Sequence, residues 1–214
     1  MKIPRLRGIF PKKTEFNSTK NKKIVLWQGF GHKTVYVNSV PQSGYLYRRM
    51  WSRAISTLKS EKAPKRVLLL GLGGGTVVSQ LRKKYPSSTI TAVEIDPAMV
   101  DVYKHFFDQT LKGLTIYVAD AIDWISQLHS KNSYDLIIVD LFVGRHNPAR
   151  ITTLTFIKNV QKLLSPIGRI WFNVERDPDN PRNFNLFYKR CLTFFTTVKQ
   201  IYKQPYSHLM CLEQ

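Results

Sequence analysis

From Lys65 onward the chain repeats one pattern, an apolar run followed by a stretch of helical period, and few folds accept that pattern. KRVLLLG precedes a helical segment reaching Tyr85, STITAVEI precedes PAMVDVYKHFF, and LTIYVAD precedes AIDWISQLH. YDLIIVDLF precedes a helix over roughly 152–164, and GRIWFNVE precedes one near 183–195. Two closing strands, VKQIYK and HLMCLE, follow. VLLL and LIIV are apolar at consecutive positions, which suits strands covered on both faces. Repeated strand–helix units predict an α/β protein with a doubly wound, mostly parallel sheet and helices on both sides.

Upstream the pattern differs. Residues 1–23 carry eight basic side chains and one acid with no regular period, and read as a loose basic arm. IVLWQGF and TVYVNSV, separated by Gly29, Gly31 and His32, predict a small β-hairpin that Pro41 closes. From Ser43 to Ser60, Tyr47, Met50, Trp51, Ala54, Ile55 and Leu58 recur at the spacing of an amphipathic helix. Residues 1–42 are therefore read as arm and hairpin, and 43–214 as the main domain; 214 residues leave room for little more.

Composition narrows the function classes. The net charge is +19, yet residues 94–140 hold eight acids against three lysines, leaving +24 on the remainder. Such a split suggests a basic body, open to nucleic acid or an acidic partner, around a site for something cationic or rich in hydroxyls. The longest apolar run, residues 67–78, has 12 residues and four glycines, far from the ~18 of a membrane span, so a cytoplasmic protein with no membrane partner is expected. Cys191 and Cys211 have neither disulfide-framework nor zinc spacing, and His32, His105, His129, His146 and His208 form no ligand pattern. No metal is expected, and the histidines are placed on surfaces and loops. No serine lies in a GxSxG context.

In a doubly wound sheet, ligands bind beyond the carboxyl ends of the strands. After the first strand come Gly71, Gly73, Gly74 and Gly75, where backbone can approach a ligand closely. Glu94 ends the second strand, 23 residues after Gly71, suited to accepting bonds from two ribose hydroxyls, with Ile95 beside it. Asp120 ends the third, either to accept from an exocyclic amine, with Ala121 and Ile122 flanking a flat ring, or simply to cap the next helix. Asp140 ends the fourth, where a carboxylate is costly unless it meets a cation or proton donor. Tyr45, Tyr47 and Trp51 are candidate aromatic walls, with Trp51 better suited to the core.

KRVLLLGLGGGTV, AVEIDPAMV, VADAIDWI and YDLIIVD together resemble the spermidine synthase family of aminopropyltransferases and its relatives among the S-adenosylmethionine-dependent methyltransferases. VYVNSVPQ, SGYLYRRM, DLFVGRHNPARITTLTF and GRIWFNV extend the likeness to about residues 30–175. The resemblance implies a seven-stranded Rossmann-like methyltransferase sheet that binds S-adenosylmethionine or its decarboxylated form. Glu94 would then meet the ribose, Asp120 the adenine and Asp140 the reacting amine, with Gln42, Tyr47, Phe142 and His146 as acceptor contacts. The chain departs from the family in having Gly74 where an acid helps hold the donor's amino end, and Val143 where a second acid follows the catalytic one. It also has Arg48 and Arg49 where the family carries Gln or His and Glu, which sets positive charge where a cationic substrate would enter. The reading is therefore methyl transfer to an amine of a small molecule or protein. Aminopropyl transfer, or a non-catalytic basic module, is the alternative, and a homodimer is left open.

Overall fold

The computed structural model describes residues 11–58, 63–128, 134–176, 182–204 and 207–214. Each apolar run becomes a strand: β5 (Arg66–Leu70), β6 (Thr89–Glu94), β7 (Leu114–Val118), β8 (Tyr134–Val139) and β9 (Leu164–Glu175). With β10 (Thr197–Lys203) and β11 (Ser207–Glu213) they form one seven-stranded sheet in the order β10-β11-β9-β8-β5-β6-β7. The five strands from β7 to β9 are parallel, β11 runs antiparallel to β9, and β10 runs antiparallel to β11. From β5 the chain winds outward to β6 and β7, then returns to place β8 and β9 on the other side. The crevice opens where those two directions diverge.

Alternate residues of the central strands feed two cores. Val67, Leu69 and Ile138 pack with α1 (Tyr45–Ser56), α2 (Thr76–Lys84) and α3 (Pro97–Phe106). Leu68, Leu70 and Val139 pack with α4 (Ala121–Ser126), α5 (Leu154–Leu163) and α6 (Arg182–Leu192). Trp51 is fully buried against Trp171 at 6.4 Å, a core residue as its spacing suggests. Pro97 and the side chain of Asp96, which accepts from Ala98 N, start α3. Thr153 caps α5 after a 3-10 turn over Ala149–Thr152, so that helix begins later than expected.

The N-terminal region corrects the sequence reading. The predicted hairpin is present as β2 (Lys22–Gly29) and β3 (His32–Val37), but β1 (Lys12–Ser18) adds to one edge and β4 (Val40–Pro41) to the other. The second half of the basic arm is thus a strand in a separate four-stranded antiparallel sheet; residues 1–10 lie outside the described residues. Ile24, Leu26, Val35 and Val37 cover Met99 and Val102 of α3, which is sandwiched between the two sheets. Asp96 ties the β1–β2 turn down, its Oδ2 accepting from Ser18 Oγ at 2.6 Å and Asn21 Nδ2 at 2.5 Å. The turn supplies donors that satisfy a carboxylate with no solvent exposure.

Candidate active site

At the divergence of β5 and β8 the backbones almost touch. Asp140 N donates to Leu70 O and Gly71 N to Val93 O, both at 2.9 Å. Gly71 has φ +92°, and a Cβ there would run into the carbonyl oxygen of Asp140, so the fold requires glycine at this position. Beside this junction lies a cavity of about 300 Å3. It is bordered by ten of the thirteen residues singled out from sequence: Gln42, Tyr47, Gly71, Gly73, Glu94, Ile95, Asp120, Ala121, Asp140 and Phe142.

Glu94 is buried at the end of β6. Its Oε2 accepts from Leu72 N at 3.0 Å and Gly73 N at 3.2 Å, and its Oε1 accepts from Asp96 N at 3.1 Å. The carboxylate therefore braces the glycine loop from below. A carboxylate has about four acceptor positions, so one remains for a ligand hydroxyl. Burial raises its pKa, and the three N–H donors oppose that shift. Asp120 takes the helix-capping role, Oδ1 accepting from Ile122 N at 2.8 Å and Asp123 N at 3.4 Å, while still bordering the cavity.

Asp140 has fewer hydrogen-bond partners. Burial pushes its pKa up to about 6; Asn173 pulls it down by donating from Nδ2 to Oδ1 at 2.8 Å, and the Glu94 charge adds a smaller push upward. Tyr47 is raised first by burial and then by the charge of Asp140, placing a phenol beside the carboxylate. Asn173, 1% exposed in β9, was invisible in sequence because it sits inside an apolar strand run. Lys20 and Asn21 of the β1–β2 turn also border the cavity and were missed with β1.

Three predicted residues fall elsewhere. Gly74 and Gly75 face a second cleft on the other side of the loop. His146 does not border the cavity: its side chain is 76% exposed and its Nδ1 lies 2.6 Å from Glu175 Oε1. A tight turn joins Val143 and His146, and Asn147 fastens it to β9 by donating from Nδ2 to the carbonyls of Leu141 and Asn173. That anchoring turns His146 outward. Arg48 and Arg49 are also displaced from the expected entrance, Arg48 into the second cleft and Arg49 into solvent. Tyr45 is 72% exposed and forms no wall, and His208 is 4% exposed in β11 rather than at a surface. His129 lies outside the described residues. Of the eight acids in 94–140, only Glu94, Asp120 and Asp140 reach the cavity; Asp108, for one, pairs with Arg82.

A family model for the spermine/spermidine synthase domain matches residues 50–201. The chain belongs to that family. It is 32% identical over 130 residues to a polyamine aminopropyltransferase of Vibrio vulnificus, covering 60% of this chain and 44% of that protein. It is 31% identical over 124 residues to the eEF1A lysine and N-terminal methyltransferase of Bos taurus, covering 53% of this chain and 18% of that one. The chain thus spans less than half the length of these relatives, and both are transferases. Among solved structures, a probable spermidine synthase from Corynebacterium glutamicum superposes with TM-score 0.78 at 21% identity, covering 95% of this chain and 80% of that one. Human methyltransferase-like protein 13 in complex with SAH gives 0.67 at 21% identity, covering 80% and 83%. These likenesses establish the fold. Among the described residues, no helix is long and apolar enough to cross a membrane.

Proposed function

We propose that this protein is a transferase that moves a methyl group from S-adenosylmethionine to an amine. The observation that carries the reading is Asp140, a carboxylate at the cavity floor whose pKa is raised to about 6 and whose single side-chain partner among the described residues is Asn173. The donor supplies a sulfonium, whose adjacent carbon accepts a nucleophile while the breaking C–S electron pair stays on sulfur. Glu94 and the glycine loop hold the nucleoside, Asp120 and Ala121 border its base, and Asp140 meets the acceptor. An alkylamine with pKa near ~10.4 arrives protonated, and Asp140 accepts its proton, freeing the nitrogen lone pair for attack. Alignment supplies most of the acceleration, worth up to about 7–11 kcal/mol in favourable cases.

Methyl transfer is preferred to aminopropyl transfer because, among the described residues, Asp140 is the one cavity acid whose carboxylate accepts no backbone N–H. Glu94 and Asp120 are committed to backbone N–H groups, and Val143, 69% exposed, stands where a second ammonium would need a partner. A diamine in the cavity would leave one charge unpaired. The likeness to the Vibrio aminopropyltransferase supports the second reading. One assay separates them. With amine acceptors, methyl transfer converts S-adenosylmethionine to S-adenosylhomocysteine. Aminopropyl transfer instead converts the decarboxylated donor and putrescine to methylthioadenosine and spermidine. Spermidine formed at roughly 1 per second or faster would overturn the methyl reading.

A further inference from the structure

The first cavity has two unlike sides. Glu94 and Asp120 stand at or just past the ends of β6 and β7, whereas Asp140 follows β8 and leads directly into the loop 141–148. On the Asp140 side the lining is apolar: Leu141, Phe142, Val143 and Pro148 of that loop, with Tyr47 and Trp51 of α1. Val143 borders the cavity while 69% exposed, so the apolar surface of a bound molecule would cover it.

The loop presents these side chains from a fixed backbone. Val143 N donates to His146 O at 2.8 Å and His146 N to Val143 O at 3.2 Å, closing the turn. Asn147 Oδ1 accepts from Glu175 N at 2.5 Å, which fastens the turn to β9. Both carboxylate oxygens of Glu175 bond to the turn, Oε1 with His146 Nδ1 at 2.6 Å and Oε2 with Asn147 N at 3.1 Å. Glu175 thus holds the loop and does not border the cavity. The other charges near Asp140 disfavour a second cation. Burial and then the Asp140 charge raise the pKa of Tyr47, and Arg145 of the same turn opposes them, so the Arg145 charge is felt at the phenol beside Asp140. Lys20 and Arg150 also border the cavity, Arg150 in an ion pair with Asp123.

We infer that the acceptor is a monoamine with an apolar body, its nitrogen at Asp140 and its chain laid over Phe142 and Val143. This rests on the proposed methyl transfer to an amine. The ammonium proton passes to Asp140, the freed lone pair takes the methyl carbon, and the C–S electron pair stays on sulfur. One carboxylate compensates one ammonium, and enclosing a second without a partner is costly. A methylene moved from water onto an apolar wall instead strengthens binding, roughly fourfold when fully buried.

Steady-state formation of S-adenosylhomocysteine from S-adenosylmethionine tests this with butylamine, pentylamine, hexylamine and pentane-1,5-diamine. The value of kcat/KM should rise about two- to fourfold per methylene from butylamine to hexylamine. Pentane-1,5-diamine matches hexylamine in length but ends in a second ammonium, and should fall about 100-fold below it. Phe142→Ala should flatten the rise, and so should Val143→Ser, a change at an exposed position that leaves the core untouched. A flat series in the wild type, or the diamine used within a few-fold of hexylamine, overturns this inference and leaves methyl transfer standing. A gradient unchanged in Val143→Ser and in Phe142→Ala overturns it as well. No S-adenosylhomocysteine from any of the four amines overturns this inference and the methyl-transfer reading together.

Discussion

Glu94 and Asp140 hold equivalent places, each at the carboxyl end of a parallel strand paired with β5, yet their surroundings differ. Glu94 accepts three backbone N–H bonds and serves the loop that forms one wall of the cavity. Asp140 accepts one side-chain amide, and burial still holds its pKa up at about 6. The carboxylate with three backbone bonds is suited to holding the loop's shape and keeps one acceptor position for a ligand. The under-bonded one is suited to taking a proton near neutral pH.

The largest effect that can break this division is on turnover. Asp140→Asn should lower methyl transfer by about 10²- to 10⁴-fold while donor affinity stays unchanged, as for loss of a general base. Steady-state kinetics beside donor calorimetry checks it; a loss of only a few-fold would move the base elsewhere.

The next effect is on stability and has the opposite sign. Asp140 has a folded pKa of about 6, above its unfolded value, so its contribution is fully present below about pH 4 and is lost as pH rises through 6. Asp140→Asn removes that penalty and should stabilise the protein at pH 7 by on the order of 1–3 kcal/mol. His208 behaves in reverse. Burial lowers it to about 4, and neither ring nitrogen has a hydrogen-bond partner among the described residues, so its contribution is present above about pH 6.5 and is lost as pH falls through 4. The two effects oppose each other between about pH 4 and 6.5. Urea denaturation across that range should therefore show a steeper acid loss in Asp140→Asn than in the wild type. Parallel curves would remove Asp140 from the account.

The smallest expected effect sharpens the role of Asn173. Its amide lowers the Asp140 pKa, so Asn173→Ala should move the acidic limb of kcat/KM to higher pH, with turnover above the limb reduced only modestly. An unmoved limb would show that Asn173 merely packs.

How much of this was legible in the sequence follows from how local each feature is. VLLL and LIIV announce strands covered on both faces, and the Gly71–Glu94 spacing fixes loop and acid within one strand–helix–strand unit, so sheet and cavity floor were readable. β1 was not, because Thr14, Phe16 and Ser18 form a weak alternation among lysines, and what seats the turn after β1 is Asp96, 78 residues from Ser18. His146 is among the acceptor contacts that the resemblance implies, yet Glu175 of β9 holds its ring and the neighbouring Asn147 N–H, turning it away. Asn173 reads as one polar residue in an apolar strand until β8 and β9 are aligned side by side.

In the proposed function Glu94 serves the donor and Asp140 the acceptor. Titration of S-adenosylmethionine into wild type, Glu94→Ala and Asp140→Asn, with far-ultraviolet spectra confirming the fold of each, tests it most directly. A loss of roughly 1–3 kcal/mol of binding in Glu94→Ala with none in Asp140→Asn is predicted. Equal losses in both variants, or an unchanged affinity in Glu94→Ala, would contradict it.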